Sequence, residues 1–358
     1  MQLPLFADAD AVDPATVPDA VRRLGTALPA AIHLGTSSWS FPGWTGLVFA
    51  PRNGKPATEQ VLARQGLPAY AAHPLMRTVS LDRTFYAPLT RDEFAAYAAQ
   101  VPESFRFVVK APAAFTDPVI RKPGSGEASR DNPSFLDASA AAVAFVEPAV
   151  VGLGGRAGPL VFQFPPLGRR LVADVPKITA RIAAFMAVLR GRATRAVPLA
   201  VEIRDPELAS APFAAGLRDA GAVPCLAVHA RMPPVAEQAA AFGLDRDDCQ
   251  LPLVARWNLH AGHRYEEAKQ AYFPFDRLVE EDVPTREALA RLASRAAARG
   301  RDVFITINNK AEGSAPRSVG RLAAAIVGSS AGHEAQLDVG VAAAHGERHD
   351  VADVDAGP

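Results

Sequence analysis

The chain has 358 residues, 38 Lys plus Arg against 38 Asp plus Glu, 49% hydrophobic residues and only two cysteines. This balance supplies no global field for nucleic acid or a membrane surface, and Cys225 and Cys249 form no metal or redox motif, which fits a reducing cytoplasm. No basic region leads into an apolar segment at the N-terminus, and no uninterrupted apolar run approaches the roughly 20 residues of a membrane helix, so the expectation is a cytoplasmic protein without a membrane partner.

Residues 1–30 carry several prolines and weak periodicity, and read as an N-terminal extension that packs on the surface or frays. The folded domain is expected over 31–327. It begins with a strand at Ile32–Ser37 and a loop rich in Gly and aromatics, then a helix over 56–72 interrupted at Gly66-Leu67-Pro68. A second strand, Arg77–Asp82, precedes a short helix over 91–100, where Thr90 and Glu93 have the spacing of a capping box. The third strand, Phe105–Lys110, stops at Pro112. The polar stretch 112–132 follows, with Arg121, Lys122 and Arg130, and reads as a loop that covers a site.

A helix over 133–151 leads to a fourth strand, Pro159–Phe164, ended by two prolines. Ile178, Ile182, Phe185 and Leu189 recur every three or four residues and predict an amphipathic helix over 175–190. The fifth strand is Pro198–Arg204, followed by a helix over 207–220. Val223–His229 is the sixth strand and Leu251–Trp257 the seventh, with a weak helix over 234–242 between them. A long segment, 258–284, holds His260 and His263. A helix over 285–299, capped by Thr285 and ended by Gly300, leads to the eighth strand, Asp302–Asn308, and a last helix over 316–327. From 328 to 358 the chain lacks periodicity and reads as a disordered tail.

Eight near-continuous apolar strands alternating with helices require a parallel sheet covered by helices. Eight units favour a TIM-like (β/α)8 barrel. The absence of a tight Gly-x-Gly-x-x-Gly turn after the first strand argues against a dinucleotide-binding sheet.

In such a barrel the strands' C-terminal ends form the site. Those ends carry Ser37 and Trp39; Asp82 and Thr84; Lys110; Gln163; Glu202 and Arg204; His229; Arg256; and Asn308 with Asn309. Glu202 and Arg204 share one strand face and either pair with each other or serve a ligand. Lys110, Arg204 and Arg256 face one cavity and favour an anionic substrate. Asp82, Glu202, His229 and His260 are residue types that hold divalent metals, but three cations at the same place oppose a metal there, and no cofactor is predicted. Trp39, Phe41, Trp44, Phe85, Tyr86 and Trp257 make a candidate aromatic rim able to stack on bases or sugars.

Several strand ends resemble one family. Gly35-Thr36-Ser37-Ser38-Trp39-Ser40-Phe41-Pro42-Gly43-Trp44 is similar to the opening motif of the YecE-like family, domain of unknown function 72. So are Arg83-Thr84-Phe85-Tyr86, Phe107–Pro112, Phe162–Pro166, Ala200–Arg204 and Ile307-Asn308-Asn309, in family order. The resemblance implies a TIM-barrel-like fold and supplies no activity. It also places Ser80 where the family's second strand typically carries glutamate, and Asp82 where it carries asparagine.

These readings converge on the expectation of an enzyme, a hydrolase or an isomerase, acting on a small anionic ligand that is phosphorylated or nucleotide-like. Glu202, Asp82 and Lys110 are its candidate catalytic residues. Ser37, Trp39, Thr84, Tyr86, Gln163, Arg204, His229, Arg256, Asn308 and Asn309 are its candidate binding residues. The alternatives are a nucleic-acid-binding protein without catalysis, supported by the aromatic rim and the basic stretch 112–132, and a metal-dependent hydrolase.

Overall fold

The computed structural model describes residues 11–122, 127–260 and 262–328; the proposed tail lies outside them apart from Gly328. The strands, in chain order, are β1 (Ile32–Thr36), β2 (Thr78–Leu81), β3 (Arg106–Lys110), β4 (Val119–Arg121), β5 (Ala128–Asp131), β6 (Ala157–Gln163), β7 (Leu199–Glu202), β8 (Val223–Val228), β9 (Leu253–Trp257) and β10 (Val303–Ile307). All but β4 and β5 close into one parallel barrel in the order β1-β2-β3-β6-β7-β8-β9-β10. Closure is made where β1 pairs with β10, from Ile32 opposite Val303 to Thr36 opposite Ile307. These are the eight strands expected from the sequence.

Alternation along each strand sorts its side chains. Leu199 and Val201, Phe107 and Val109, and Leu253 and Ala255 join the large core between barrel and helices. Val108, Val161, Ala200, Cys225, Val254 and Phe304 form a second core inside the barrel. Two residues further along, the inward positions become Lys110, Gln163, Glu202 and Arg256. An unbroken apolar strand with a polar end is thus a strand whose inward face changes from packing to chemistry as it reaches the mouth. Gly35 is required for the close pairing of β1 with β2: a Cβ there would lie 1.8 Å from the Thr78 carbonyl oxygen.

The outer ring follows the periodic segments. The helix Val175–Arg190 buries Ile178, Ile182, Phe185, Met186 and Leu189, and Asp174 accepts the Lys177 N–H at its start. Thr90 and Glu93 form the expected capping box on Arg91–Ala98. The helix Val283–Ala298 starts earlier than Thr285: Asp282 is its cap, accepting the Thr285 N–H at 3.1 Å, and Pro284 sits in the first turn, where no N–H is needed. One helix, Ala138–Arg156, has the length and apolar composition of a membrane span, although Glu147 and Pro148 interrupt its apolar run. It lies in the outer ring with Ala141, Phe145, Val146, Ala149 and Leu153 buried.

Three segments carry structure their sequence concealed. Within 11–30, Asp19–Ala27 is a helix. Arg77 anchors this region at the barrel's N-terminal end by donating to the carbonyls of Gly25, Leu28, Pro29 and Ile32 at 2.6–3.2 Å. The stretch 112–132, read as a loop, contains an antiparallel ribbon of β4 and β5; β5 is exposed throughout, so it shows no hydrophobic alternation. Tyr265–Tyr272 is a helix that buries only Ala268 and Tyr272, too little to give a period.

Candidate functional site

The strand order brings the inward ends of β2, β3, β6, β7 and β9 around one ionic cluster. Glu202, completely buried, is at its centre. Arg204 donates to one of its oxygens and Arg256 Nη1 to the other at 2.8 Å; Asn258 Nδ2 donates at 3.2 Å. The same Arg256 places Nη2 2.9 Å from both oxygens of Asp82 and Nη1 3.3 Å from Gln163 Oε1. Ser80, at the position where the resemblance expects glutamate, donates to Asp82 at 2.6 Å, so the carboxylate of this strand stands one inward position nearer the mouth.

Burial alone would raise the Glu202 pKa, but Arg204, Arg256 and Lys110 together hold it below the ordinary carboxylate range. A carboxylate held by three donors is a poor proton acceptor. In this geometry Glu202, named among the candidate catalytic residues, ties Arg204 and Arg256 together from below. Glu202 and Arg204 do pair with each other. Even so, Arg204 Nη1 is buried with no hydrogen-bond partner among the described residues.

Lys110 is different. Its ammonium lies 3.6 Å from the Phe85 ring centroid, and no carboxylate contacts it among the described residues. Burial lowers its pKa to about 8, and the Arg256 charge adds to the effect. His229 is held neutral: burial and the nearby Arg204 push its pKa down to about 4. Its Nδ1 accepts the Arg231 backbone N–H at 3.2 Å, which leaves the ring proton on Nε2.

These groups line a cleft of about 370 Å³ at the C-terminal mouth, walled by Phe85, Pro165, Pro166, Leu259 and Tyr265. Of the expected residues it contains Asp82, Tyr86, Lys110, Gln163, Arg204, His229, Arg256 and Asn308. Glu202 lies directly beneath, bonded to Arg204 and Arg256. Tyr86 stands at the rim, 86% exposed.

The other four are structural. Ser37 is buried outside the cleft, with its backbone N–H on the Ile307 carbonyl. Trp39 would face inward had β1 continued. Instead the strand ends at Thr36, and Trp39 packs on Tyr97 and donates to the Leu62 carbonyl at 3.0 Å. Thr84 closes a turn, its hydroxyl 2.7 Å from the Leu81 carbonyl and 2.5 Å from that of Lys110. Asn309 Oδ1 accepts from Trp44 Nε1 and the Ala315 N–H.

The aromatic rim reduces in the same way. Trp39, Trp44 and Trp257 belong to the core and Phe41 packs against it outside the cleft, leaving Phe85 and Tyr86, joined by Tyr265. In the ribbon, Arg121 pairs with Asp117 and Lys122 with Glu127. Asp82, Glu202 and His229 do not come together as a metal-ligand trio among the described residues.

Sequence reasoning missed Asn258, Arg231 and Tyr265. Asn258 follows Arg256 by two residues, so strand alternation extended past the apparent strand end is the signal that finds it. Tyr265 depends on a helix that sequence did not reveal.

The sequence profile of a protein family described as "Protein of unknown function DUF72" matches residues 33–337. The chain belongs to the DUF72 family. The YecE-like resemblance names the same family, so the motifs read from the strand ends are DUF72 motifs. A DUF72 protein from Enterococcus faecalis V583, solved at 3.10 Å, is 16% identical, covers 82% of this chain and 95% of its own, and superposes with a TM-score of 0.56. One from Thermotoga maritima MSB8 is 18% identical over 81% of this chain and 97% of its own, with a TM-score of 0.49. At such identity the first shows a shared fold, and for DUF72 that fold is the barrel described above. No curated protein sequence matches the chain.

Proposed function

We propose that the barrel mouth is the site of an enzyme that binds a small anionic ligand, phosphorylated or nucleotide-like, and moves a proton on it through Lys110. The observation that carries this reading is the pair of uncommitted cationic donors in one cleft. Among the described residues, Lys110 has no carboxylate in contact, and Arg204 keeps one guanidinium nitrogen unpaired although its other already meets Glu202. Leaving a buried charge under-compensated is costly, and such an arrangement is retained where a ligand supplies the missing partner.

Arg256, neutralised by Asp82 and Glu202, is the rigid strut between them. Lys110, with a pKa of about 8, is suited to proton transfer near neutral pH. Asp82, 34% exposed at the side chain and held from one side by Arg256, is the carboxylate that stays open to the cleft. Gln163, Asn308 and the Nε2–H of His229 supply neutral hydrogen bonds for orientation. Hydrolysis or isomerisation of a phosphorylated compound fits this set. The nucleic-acid reading loses its support, since the tryptophans of the rim are core residues and two of the ribbon's cations are already paired.

The test is a thermal-shift screen over sugar phosphates and nucleotides. A phosphorylated compound that raises Tm in the native protein should fail to do so in Lys110→Ala and Arg204→Ala. Equal shifts in wild type and both variants would sink the proposal.

A further inference from the structure

Beside the mouth, three side chains meet that take no part in the anion cleft. His260 and His263 follow β9, and Glu280 comes from the segment after the helix Tyr265–Tyr272. His263 Nε2 lies 2.7 Å from Glu280 Oε2, and His260 Nε2 lies 3.7 Å from Oε1. The two imidazoles are 5.2 Å apart between centroids and crossed at 74°. Their nitrogens and the carboxylate all fall within 4.8 Å of one another, and among the described residues this is the one such trio of His, Cys, Asp or Glu.

Tetrahedral zinc, with bonds of roughly 2.0–2.1 Å, holds its donor atoms about 3.3 Å apart. The observed spacings lie on both sides of that value, so modest side-chain rotation closes the set. The surroundings are arranged for it. The Tyr272 hydroxyl donates to Glu280 Oε2 at 3.1 Å, an outer contact that orients the carboxylate. The ligands also ride on anchored backbone: the His260 N–H bonds the Lys310 carbonyl at 2.9 Å, and the N–H groups of Val279 and Glu280 bond that of Glu312 at 2.8 and 3.3 Å.

We infer that His260, His263 and Glu280 form a binding site for a divalent transition metal of the zinc class, with two imidazoles and one carboxylate as ligands. Two nitrogen donors select such a metal over magnesium or calcium, which prefer oxygen. Each imidazole binds through the Nε2 lone pair with its proton on Nδ1, and any proton shared between His263 and Glu280 is released. His263 and Glu280 are partly exposed, at 31% and 47% of their side-chain surface, so water completes the coordination. The inference is independent of the anion cleft, since none of its ligands lines that cleft.

The test titrates cobalt(II), then zinc, into protein freed of metal by chelation and carrying no polyhistidine tag. One equivalent of cobalt should bind with visible absorption bands that zinc abolishes. Zinc should raise Tm, and His263→Ala and Glu280→Gln should each lose both signals. Both positions are partly exposed, so their variants should fold, and circular dichroism checks this. Absence of cobalt bands with metal in excess overturns the inference. So does binding that persists undiminished in the folded variants.

Discussion

Glu202→Gln separates an anchoring role from a proton-transfer role without requiring a known substrate. The substitution preserves shape but removes the charge that faces Arg204 and Arg256, and turns one acceptor oxygen into a donor among three donors. Breaking a fully buried ion pair typically costs 3–5 kcal/mol. Arg256 keeps both oxygens of Asp82 at 2.9 Å, whereas Arg204 loses its carboxylate partner, so the lower end, about 3 kcal/mol, is expected. At roughly 2–4 °C per kcal/mol for a domain of this size, Tm should fall by about 6–12 °C. Asp82→Asn, at a side chain one-third exposed, should cost clearly less, on the order of 1 kcal/mol.

Thermal and urea unfolding of the two variants side by side is the assay. Because the folded Glu202 pKa is depressed, its stabilisation is present above the ordinary glutamate value near 4.3 and is lost as pH falls below it. The variant's deficit should therefore shrink in acid. A Glu202→Gln protein melting within about 1 °C of wild type, or more stable than Asp82→Asn, would refute the anchoring argument.

Lys110→Met should stabilise the protein at neutral pH while abolishing anion binding. Lowering a lysine from 10.5 to about 8 costs folding at most about 3 kcal/mol below pH 8, at 1.36 kcal/mol per unit, and the cost disappears as pH rises through 8 to 10.5. Selective acylation of Lys110, followed by mass spectrometry, should show a midpoint near 8; a midpoint near 10 removes it as a proton donor. His33, His73 and His229 are each lowered to about 4, mainly by burial, so each favours the unfolded chain on acidification. Stability should fall as pH drops from 6.5 toward 4, and His33→Phe should flatten that slope, as read by melting curves across pH. Gly35→Ala should cost at least about 1–3 kcal/mol in urea titrations, since its Cβ would collide with the Thr78 carbonyl oxygen at 1.8 Å.

The barrel was legible because its grammar is local. Strands read as apolar runs stopped by Pro112, Pro165 or a polar pair, and helices as period-3.6 faces such as Ile178, Ile182, Phe185 and Leu189. Position at the strands' C-terminal ends then singled out Lys110, Gln163, Glu202 and Arg256 before any strand order was known. Trp39 and Asn309 misled because each lies beyond a strand end, where the chain turns outward and alternation no longer applies. Trp257 lies on the outward face opposite to Arg256, a distinction its hydrophobic neighbours do not make. The helix Tyr265–Tyr272 and the strand β5 are polar and mostly exposed, so neither had a periodic signature.

By itself the sequence determined the eight barrel strands, which face of each periodic helix is apolar, and that polar residues gather at one end of the strands. These follow from side-chain period along a single segment. Which charges neutralise which was decided only by closure of the barrel, which sets Glu202 beside Gln163 on β6 and Thr306 beside Arg256 on β9. Asp82 and Arg256 are 174 positions apart in the chain and meet at 2.9 Å. The same holds for Glu280, which joins His260 and His263 only through the packing of a helix whose existence the sequence concealed. Coulomb and hydrogen-bond energies act over a few ångströms of space, and separation along the chain carries no record of that distance.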